Sequence, residues 1–232
     1  MAKPEERLVA AIDEHFIEKA ILMIQRLMPV IEWFKIGSQL MYAGHAHSVA
    51  KFVHSLGKNV FWDNKIFDTP ETSGKSVQNL ISSSNPEVFS IYAGEDSSLE
   101  ALKLANWHKG KSKMFGVSLL TSDCVGSEEE AVSRVMAMAA RLYMIRADGV
   151  ICPAFIAEQV KTVYGLKIIS PGICADWHPA KGHAMPLSAG KAIRLGADQI
   201  VVGSAITRAP KSVGGPRGAA EKILEEIEKA SR

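Results

Sequence analysis

The residues best suited to chemistry in this chain form one short charged segment. It contains Asp63, Lys65 and Asp68, and it follows the apolar run Val60–Trp62. If that run is a β-strand, side chains alternate between its two faces, so Asp63 and Lys65 lie on the same side. Two carboxylates beside one ammonium at a strand end are costly unless they are solvated or serve a reaction. The segment therefore indicates either a solvated surface cluster or a site in which charge does chemistry.

This segment belongs to a chain in which short β-rich runs alternate with longer helical patterns. Eight strands are predicted, at Leu8–Ile12, Trp33–Gly37, Asn59–Lys65, Val88–Ala93, Met114–Leu120, Gly149–Pro153, Lys167–Ile173 and Gln199–Gly203. Amphipathic spacing predicts helices between them, among others at Phe16–Leu27, Ser127–Arg146 and Ala219–Ala230. Strands that alternate with helices predict right-handed βαβ units and a parallel sheet. About eight such units predict a single-domain α/β fold over residues 1–232, a (β/α)8 TIM barrel, with an open doubly wound sheet as the alternative.

A barrel of this kind places its chemistry at the carboxyl ends of its strands. The predicted strand ends carry charged, hydroxyl and glycine residues: Asp13, Lys35, Asp63, Lys65, Thr121, Ser122, Ser170-Pro171-Gly172 and Gly203-Ser204. Several such residues at one edge favour an active site over a solvated charge cluster. Trp33 and Trp62 are expected to point away from the barrel interior and to pack against helices.

Composition and charge exclude several other classes of protein. Apolar residues make up 47% of the 232 residues, charged residues 22%, and the net charge is +2 with no basic block, which gives no case for a nucleic-acid or membrane partner. Three widely spaced cysteines argue against a disulfide framework and a CxxC metal site. The polar N-terminus lacks a signal-peptide core, so a cytoplasmic location is expected.

The run from Asp63 to Thr72, Asp-Asn-Lys-Ile-Phe-Asp-Thr-Pro-Glu-Thr, resembles a known signature. It is similar to the Asp-x-Lys-x-x-Asp-Ile-Pro-x-Thr motif of the orotidine 5′-monophosphate decarboxylase family. Further segments resemble that family in the same order and spacing: Val9–Asp13, Phe34–Leu40, Leu120–Ser122, Ser170–Ile173 and Gly196–Gly203. The resemblance covers nearly the whole chain and implies the same barrel fold.

The resemblance implies decarboxylation of orotidine 5′-monophosphate to uridine 5′-monophosphate, the last step of de novo UMP biosynthesis, with no metal and no cofactor. A site without an electron sink must stabilise the C6 carbanion through preorganised charges. By resemblance, Lys65 stabilises and protonates that carbanion, and Asp63 crowds the substrate carboxylate. Lys35 extends the charge network and, with Asp13, holds the ribose hydroxyls.

The resemblance also implies a homodimer whose subunits complete each other's sites. Asp68 and Thr72 would reach into the neighbouring subunit, where Thr72 contacts the ribose. Thr121 and Ser122 would lie near the pyrimidine edge, although simple loop capping remains an alternative for Thr121. Pro171-Gly172 would shape the loop after the seventh strand, where glycine lets the backbone approach a ligand closely.

The chain departs from the family pattern where the phosphate is bound. Ser204 stands where the family has an arginine, and His183 stands where it has a glutamine. Backbone N–H groups at Gly203 and Ser204 could still face a phosphate, with Arg208 or His183 supplying positive charge. Losing the arginine is expected to weaken phosphate binding unless another group compensates.

Two alternatives remain open from the sequence. The first is a magnesium-dependent sugar-phosphate lyase of the same superfamily, such as 3-keto-gulonate 6-phosphate decarboxylase or hexulose phosphate synthase. Lys35 argues against it, because that position would have to hold an acidic magnesium ligand. The second is an inactive paralogue that binds a nucleotide or acts as an interaction scaffold, which Ser204 and Cys174 would motivate.

Overall fold

The eight predicted strands form a closed parallel barrel. The computed structural model describes residues 3–118, 127–178 and 187–232, and all statements of structure refer to these ranges. The strands are β1 (Leu8–Ile12), β2 (Trp33–Gly37), β3 (Asn59–Ile66), β4 (Val88–Tyr92), β5 (Lys113–Val117), β6 (Gly149–Ile151), β7 (Lys167–Ser170) and β8 (Gln199–Val202). Each strand pairs in parallel with the next, and β8 closes on β1 with Val201 opposite Val9. The barrel prediction is confirmed, and the open sheet is wrong because the first and last strands pair.

Helices follow the strands around the outside of this barrel. They are α1 (Pro4–Arg7), α2 (Ile17–Leu27), α3 (Ser38–Tyr42), α4 (Ala46–Ser55), α5 (Pro70–Ser83), α6 (Leu99–His108), α7 (Glu128–Met144), α8 (Ala157–Tyr164), α9 (Ala189–Arg194), α10 (Ser204–Thr207) and α11 (Gly215–Ala230), with short 3₁₀ turns at Ala154–Ile156 and Lys211–Val213. Ser127 caps α7, since its hydroxyl accepts the N–H of Glu130 at 3.2 Å. Over the ranges that the structure describes, no helix combines the length and the apolar character needed to cross a bilayer.

The strands begin where the sequence predicts, within one residue, but several of them end earlier. β4, β6, β7 and β8 stop one to three residues before their predicted ends. Pro153 and Pro171 lack the N–H group that a ladder requires, and Gly172 turns the chain away with a φ of 80°. The predicted end of the fifth strand, Leu120, lies outside the described residues.

The core has two layers, one inside the barrel and one between strands and helices. The inner layer is apolar and consists of Val9, Ala11, Phe61, Val88, Phe115, Val117, Ile151, Ile169 and Val201. Trp62 packs in the outer layer against His47, with ring centroids 4.9 Å apart, as predicted. The prediction for Trp33 is wrong, because this side chain packs against the inner layer. Trp33 and Lys35 are two residues apart on β2 and therefore face the same side.

Candidate active site

Four charged side chains form a continuous chain at the carboxyl ends of β1, β2 and β3. The Nζ atom of Lys35 lies 3.2 Å from Oδ1 of Asp13 and 3.3 Å from Oδ2 of Asp63. The Nζ atom of Lys65 lies 2.9 Å from Oδ1 of Asp63. We refer to Asp13, Lys35, Asp63 and Lys65 as the charge chain. The structure thus brings together four of the residues that the sequence predicts, with alternating sign.

Lys35 and Asp63, the two central members of the charge chain, keep each other ionised. Burial alone would lower the pKa of Lys35, but the carboxylates of Asp63 and Asp13 outweigh it, so the pKa is raised. Burial alone would raise the pKa of Asp63, but the ammonium groups of Lys35 and Lys65, with hydrogen bonds from Lys65 and Ser90, lower it. Both central groups therefore stay ionised around neutral pH although each side chain is only 12% exposed.

Gly37 leaves the space that the Lys35 ammonium occupies. Gly37 follows Lys35 by two residues and also faces the barrel interior, next to Asp63 in the ladder. A Cβ atom at Gly37 would lie 2.9 Å from Nζ of Lys35 and 3.1 Å from Oδ1 of Asp13. A side chain at this position would therefore displace the link between two carboxylates, a role that the sequence reasoning missed.

Lys65 is placed by an irregularity at the end of β3. The ladder between β3 and β4 shifts register between Trp62 and Ile66, and Lys65 has a positive φ of 50°, which is rare for a residue with a side chain. Its backbone N–H donates to the hydroxyl of Ser90 at 2.9 Å. Ser90 was missed in the sequence, where the available signal was one hydroxyl in the otherwise apolar and aromatic strand β4.

Asp68 and Thr72 lie outside the charge chain. The carboxylate of Asp68 is exposed and accepts the N–H of Thr69 at 2.7 Å, and the hydroxyl of Thr69 donates to that of Thr72 at 3.0 Å. Within the described ranges Asp68 forms no ion pair. Lys65 is thus paired with one carboxylate of its own chain, whereas the motif suggested two.

The loops after β7 and β8 bring a serine and a histidine together at the same end of the barrel. The hydroxyl of Ser204, the first residue of α10, lies 2.8 Å from Nε2 of His178. Trp177 ties the two loops together, because its indole N–H donates to the carbonyl oxygen of Ala205 at 2.9 Å. The sequence analysis did not identify His178, because nothing in its spacing indicated this contact.

The remaining predicted binding residues are placed as follows. Gly203 precedes α10 and lies next to Asp13, since a Cβ atom there would be 3.7 Å from Oδ2 of that carboxylate. Arg208 follows α10 and is exposed, while Pro171-Gly172 directly follows β7. Thr121, Ser122 and His183 lie outside the described residues.

The charge chain can bind and stabilise an anion at Lys65. The Lys65 side chain is 34% exposed, against 12% for Lys35, so Lys65 is the ammonium that a ligand can reach. Lys35 fills the position between two carboxylates that a metal ion would otherwise favour. No group of three or more potential metal-binding His, Cys, Asp or Glu side chains lies together in the part of the chain that the structure describes.

Comparisons with known proteins agree on one family. Residues 6–223 match the family described as Orotidine 5′-phosphate decarboxylase / HUMPS. A protein named orotidine 5′-phosphate decarboxylase from Carboxydothermus hydrogenoformans is 32% identical over 237 residues, covering 96% of both chains. One of the same name from Methylococcus capsulatus is 28% identical over 231 residues, covering 96% of this chain and 92% of the relative.

Solved structures support the fold. A crystal structure of orotidine 5′-phosphate decarboxylase from Lactobacillus acidophilus matches with a TM-score of 0.78 and 23% identity, covering 96% of this chain and 99% of the other. An uncharacterized conserved protein from Geobacillus kaustophilus matches with a TM-score of 0.75 and 19% identity, covering 95% and 99%. With the family match over most of its length, the chain belongs to the orotidine 5′-phosphate decarboxylase / HUMPS family.

Proposed function

We propose that this protein decarboxylates orotidine 5′-monophosphate to uridine 5′-monophosphate without a metal or cofactor, as the last step of UMP biosynthesis. The observation that carries the proposal is the Lys65 ammonium, which is accessible and lies 2.9 Å from the buried, ionised Asp63. The names of the curated relatives support the same substrate.

In the proposed reaction, charge is redistributed around one carbon of the pyrimidine. The bond between C6 and the carboxylate breaks, carbon dioxide leaves, and the electron pair stays on C6. The Lys65 ammonium stabilises that pair electrostatically and then donates a proton to C6, and solvent restores the proton to Lys65. In this proposal, Asp63 keeps Lys65 in place through their 2.9 Å ion pair and crowds the departing carboxylate.

The ribose and phosphate are assigned to groups around the charge chain. Asp13 has a side chain that is 44% exposed, so with Lys35 it can still accept and donate hydrogen bonds to ribose hydroxyls. The phosphate is assigned to the edge formed by Gly203, Ser204 and His178, with charge from Arg208 or His183. A serine and a histidine replace one guanidinium here, so we expect phosphate to contribute less affinity.

The site is proposed to be completed by a second copy of the chain. Asp68 and Thr72 are exposed beside the charge chain and not part of it, which suits contacts across a homodimer interface. Thr121 and Ser122 are assigned to the pyrimidine edge of the substrate. Pro171-Gly172 are assigned to shaping the loop after β7, where glycine lets the backbone approach the ligand closely.

The magnesium-dependent sugar-phosphate lyases are the second candidate, because the family description also includes HUMPS. The position of Lys35 disfavours them. Its ammonium bridges Asp13 and Asp63, and a divalent cation between these carboxylates would have to displace it against two ion pairs.

The loss of orotidine monophosphate absorbance tests the proposal directly. We expect turnover by the wild-type protein that EDTA leaves unchanged, and a fall in kcat of about 10²- to 10³-fold or more in Lys65→Ala, since the developing anion loses its counter-charge. Lys103→Ala, which removes an exposed lysine paired with Glu100 on α6, serves as the control and should behave as wild type.

Two outcomes would overturn the proposal. Turnover that appears only with magnesium would support the sugar-phosphate lyases. A properly folded wild-type protein that turns over no orotidine monophosphate at any concentration would support the inactive paralogue.

A further inference from the structure

The charged end of β3 lies opposite a single residue of β4. Trp62 pairs with Phe89 and Ile66 pairs with Ile91, so the ladder resumes after three residues of β3 but only one of β4. The three are Asp63, Asn64 and Lys65, and the one is Ser90. A bulge of this kind leaves backbone groups without ladder partners and changes the direction of side chains.

The hydroxyl of Ser90 takes the place of a ladder partner within this bulge. Ser90 is fully buried, and its hydroxyl accepts the backbone N–H of Lys65 at 2.9 Å. The same hydroxyl donates to Oδ1 of Asp63 at 2.8 Å. One side chain thus contacts both the backbone of Lys65 and the carboxylate that pairs with its ammonium.

These two bonds constrain the parts of the site that are otherwise free to move. The positive φ of Lys65 is unfavourable for a residue with a Cβ atom, and the bond from its N–H to Ser90 helps to hold it. The bond to Oδ1 fixes the rotation of the Asp63 carboxylate, so that Oδ1 faces Lys65 and Oδ2 faces Lys35.

We propose that Ser90 is a positioning residue for the reaction: its hydroxyl sets the carboxylate of Asp63 and the backbone of Lys65 in the geometry in which Lys65 meets the substrate. The proposal rests on the proposed function, because its effect on rate is observed through decarboxylation. Ser90 itself touches neither the substrate nor the reacting atoms.

The test compares serines that are buried to a similar extent at opposite ends of the barrel. Ser90→Ala removes both bonds, Ser90→Thr keeps the hydroxyl, and Ser90→Cys keeps the volume with only a weak donor. The control is Ser112→Ala, because the Ser112 hydroxyl is also buried but bonds to the carbonyl oxygen of Pro86, ahead of β5 and away from the charge chain.

We expect kcat of Ser90→Ala to fall by about 10- to 100-fold, with KM changed by less than about threefold. Ser90→Thr should keep most of the activity, and Ser90→Cys should fall between the two. Ser112→Ala should lose thermal stability without losing kcat. If Ser90→Ala does not fold, the kcat values of Ser90→Cys and Ser90→Thr are compared instead, and a lower kcat for Ser90→Cys supports the proposal. Equal kcat values for the Ser90 and Ser112 variants would overturn the proposal.

A second measurement separates this proposal from the proposed function. The ¹³C NMR titration of the Asp63 carboxyl, assigned with Asp63→Asn, should shift to higher pH in Ser90→Ala but not in Ser112→Ala. The charged groups around Asp63 are Lys35 on β2, Lys65 on β3 and Asp13 on β1, and both serine variants leave them unchanged. Wild-type protein without turnover would refute the decarboxylase role. An unshifted titration would refute the contact from Ser90, whether or not the protein is active.

Discussion

Asp63 is the residue through which the charges of the site act on one another. Each of its two oxygens faces a different ammonium, and Ser90 donates to the oxygen that Lys65 also contacts. A carboxylate in such surroundings favours its ionised form, so the folded protein binds a proton there less readily than the unfolded chain does. The charge chain therefore links folding stability to pH.

The acid side of the stability profile should reveal this linkage. Because the pKa of Asp63 is lowered from its usual 3.8, its contribution is fully present above that value and is lost as pH falls through the folded-state pKa. We expect Asp63→Asn to be less stable than wild type by about 1–3 kcal/mol at pH 7 and to depend less on pH below 4. Urea unfolding at several pH values measures both.

An exposed carboxylate provides the matched control. The pKa of Glu71 is also lowered, by a hydrogen bond from Lys75 and by its charge, but this pair is exposed on α5 and screened by solvent. Glu71→Gln should keep the acid dependence of the wild type. Parallel profiles for wild type and Asp63→Asn would show that the charge chain does not couple folding to protonation.

At the level of single residues, the alternation of side chains along a strand was enough to predict which charged residues face the site. Lys35 and Asp63 were identified because charged residues at strand ends must face either the barrel interior or solvent. Ser90, Gly37 and His178 were not identified. Their roles depend on which side chain of a neighbouring strand or loop lies opposite, and this is set by register and loop path.

Among the elements, β2 shows how one strand face builds the site. Trp33, Lys35 and Gly37 follow one another along the inner face of the barrel. Trp33 packs on the inner apolar layer, Lys35 supplies the ammonium, and Gly37 supplies empty space. The absence of a side chain at Gly37 is therefore as specific a requirement as the charge of Lys35.

Gly37→Ala should impair the site and leave the barrel folded. The new Cβ atom would lie 2.9 Å from Nζ of Lys35, which is the flexible end of a side chain and can move away. The φ of Gly37 is −109°, which alanine adopts without strain. We expect kcat to fall by about tenfold or more because Lys35 no longer bridges Asp13 and Asp63.

The midpoint of thermal unfolding of Gly37→Ala should stay within a few degrees of the wild-type value while its activity falls. Unchanged kinetics in Gly37→Ala would mean that the bridge formed by Lys35 is not needed for turnover. A large loss of stability would mean instead that the neighbouring backbone, and not the lysine, has to move.

The strand starts were predicted to within one residue and the ends of β1 and β2 correctly, but the ends of β4, β6, β7 and β8 were placed too late, for one physical reason. An apolar pattern reports burial, and burial continues past the point where the ladder stops: Ala93, Cys152 and Ile173 are buried after β4, β6 and β7 have ended. The bulge in β3 has the opposite effect, since β3 continues one residue beyond its predicted end. Neither a bulge nor a change from ladder to loop alters the hydrophobic period.

At the scale of the whole molecule, the rim beside the charge chain exposes an aromatic side chain together with a carboxylate and a hydroxyl. Asp68 and Thr72 lie there, next to Phe67, whose side chain is 57% exposed and packs edge-on against Tyr92 with ring centroids 5.0 Å apart. Aromatic side chains are enriched where another protein covers a surface, and Asp68 has no ion-pair partner among the residues that the structure describes. The proposed homodimer would place these residues against the second subunit's site.

Mixed dimers of two inactive variants test whether Asp68 serves the site of the neighbouring subunit. If Lys65 serves its own subunit's site and Asp68 serves the neighbour's, then Lys65→Ala and Asp68→Ala should each be nearly inactive alone. A mixed dimer holds one site with both residues intact and one site with neither. Random exchange of subunits should therefore restore about a quarter of the wild-type activity, as expected for a symmetric dimer.

If activity does not return, the controls show whether the dimer itself or the assignment of Asp68 to the neighbouring subunit is wrong. Each variant should sediment as a dimer by analytical ultracentrifugation, and mixing Lys65→Ala with Lys35→Ala should restore nothing, because both residues belong to the same subunit's charge chain. A monomeric wild type would contradict the dimer itself. A dimer whose mixed form stays inactive would assign Asp68 to its own subunit, and the exposed carboxylate would then have to move inward when substrate binds.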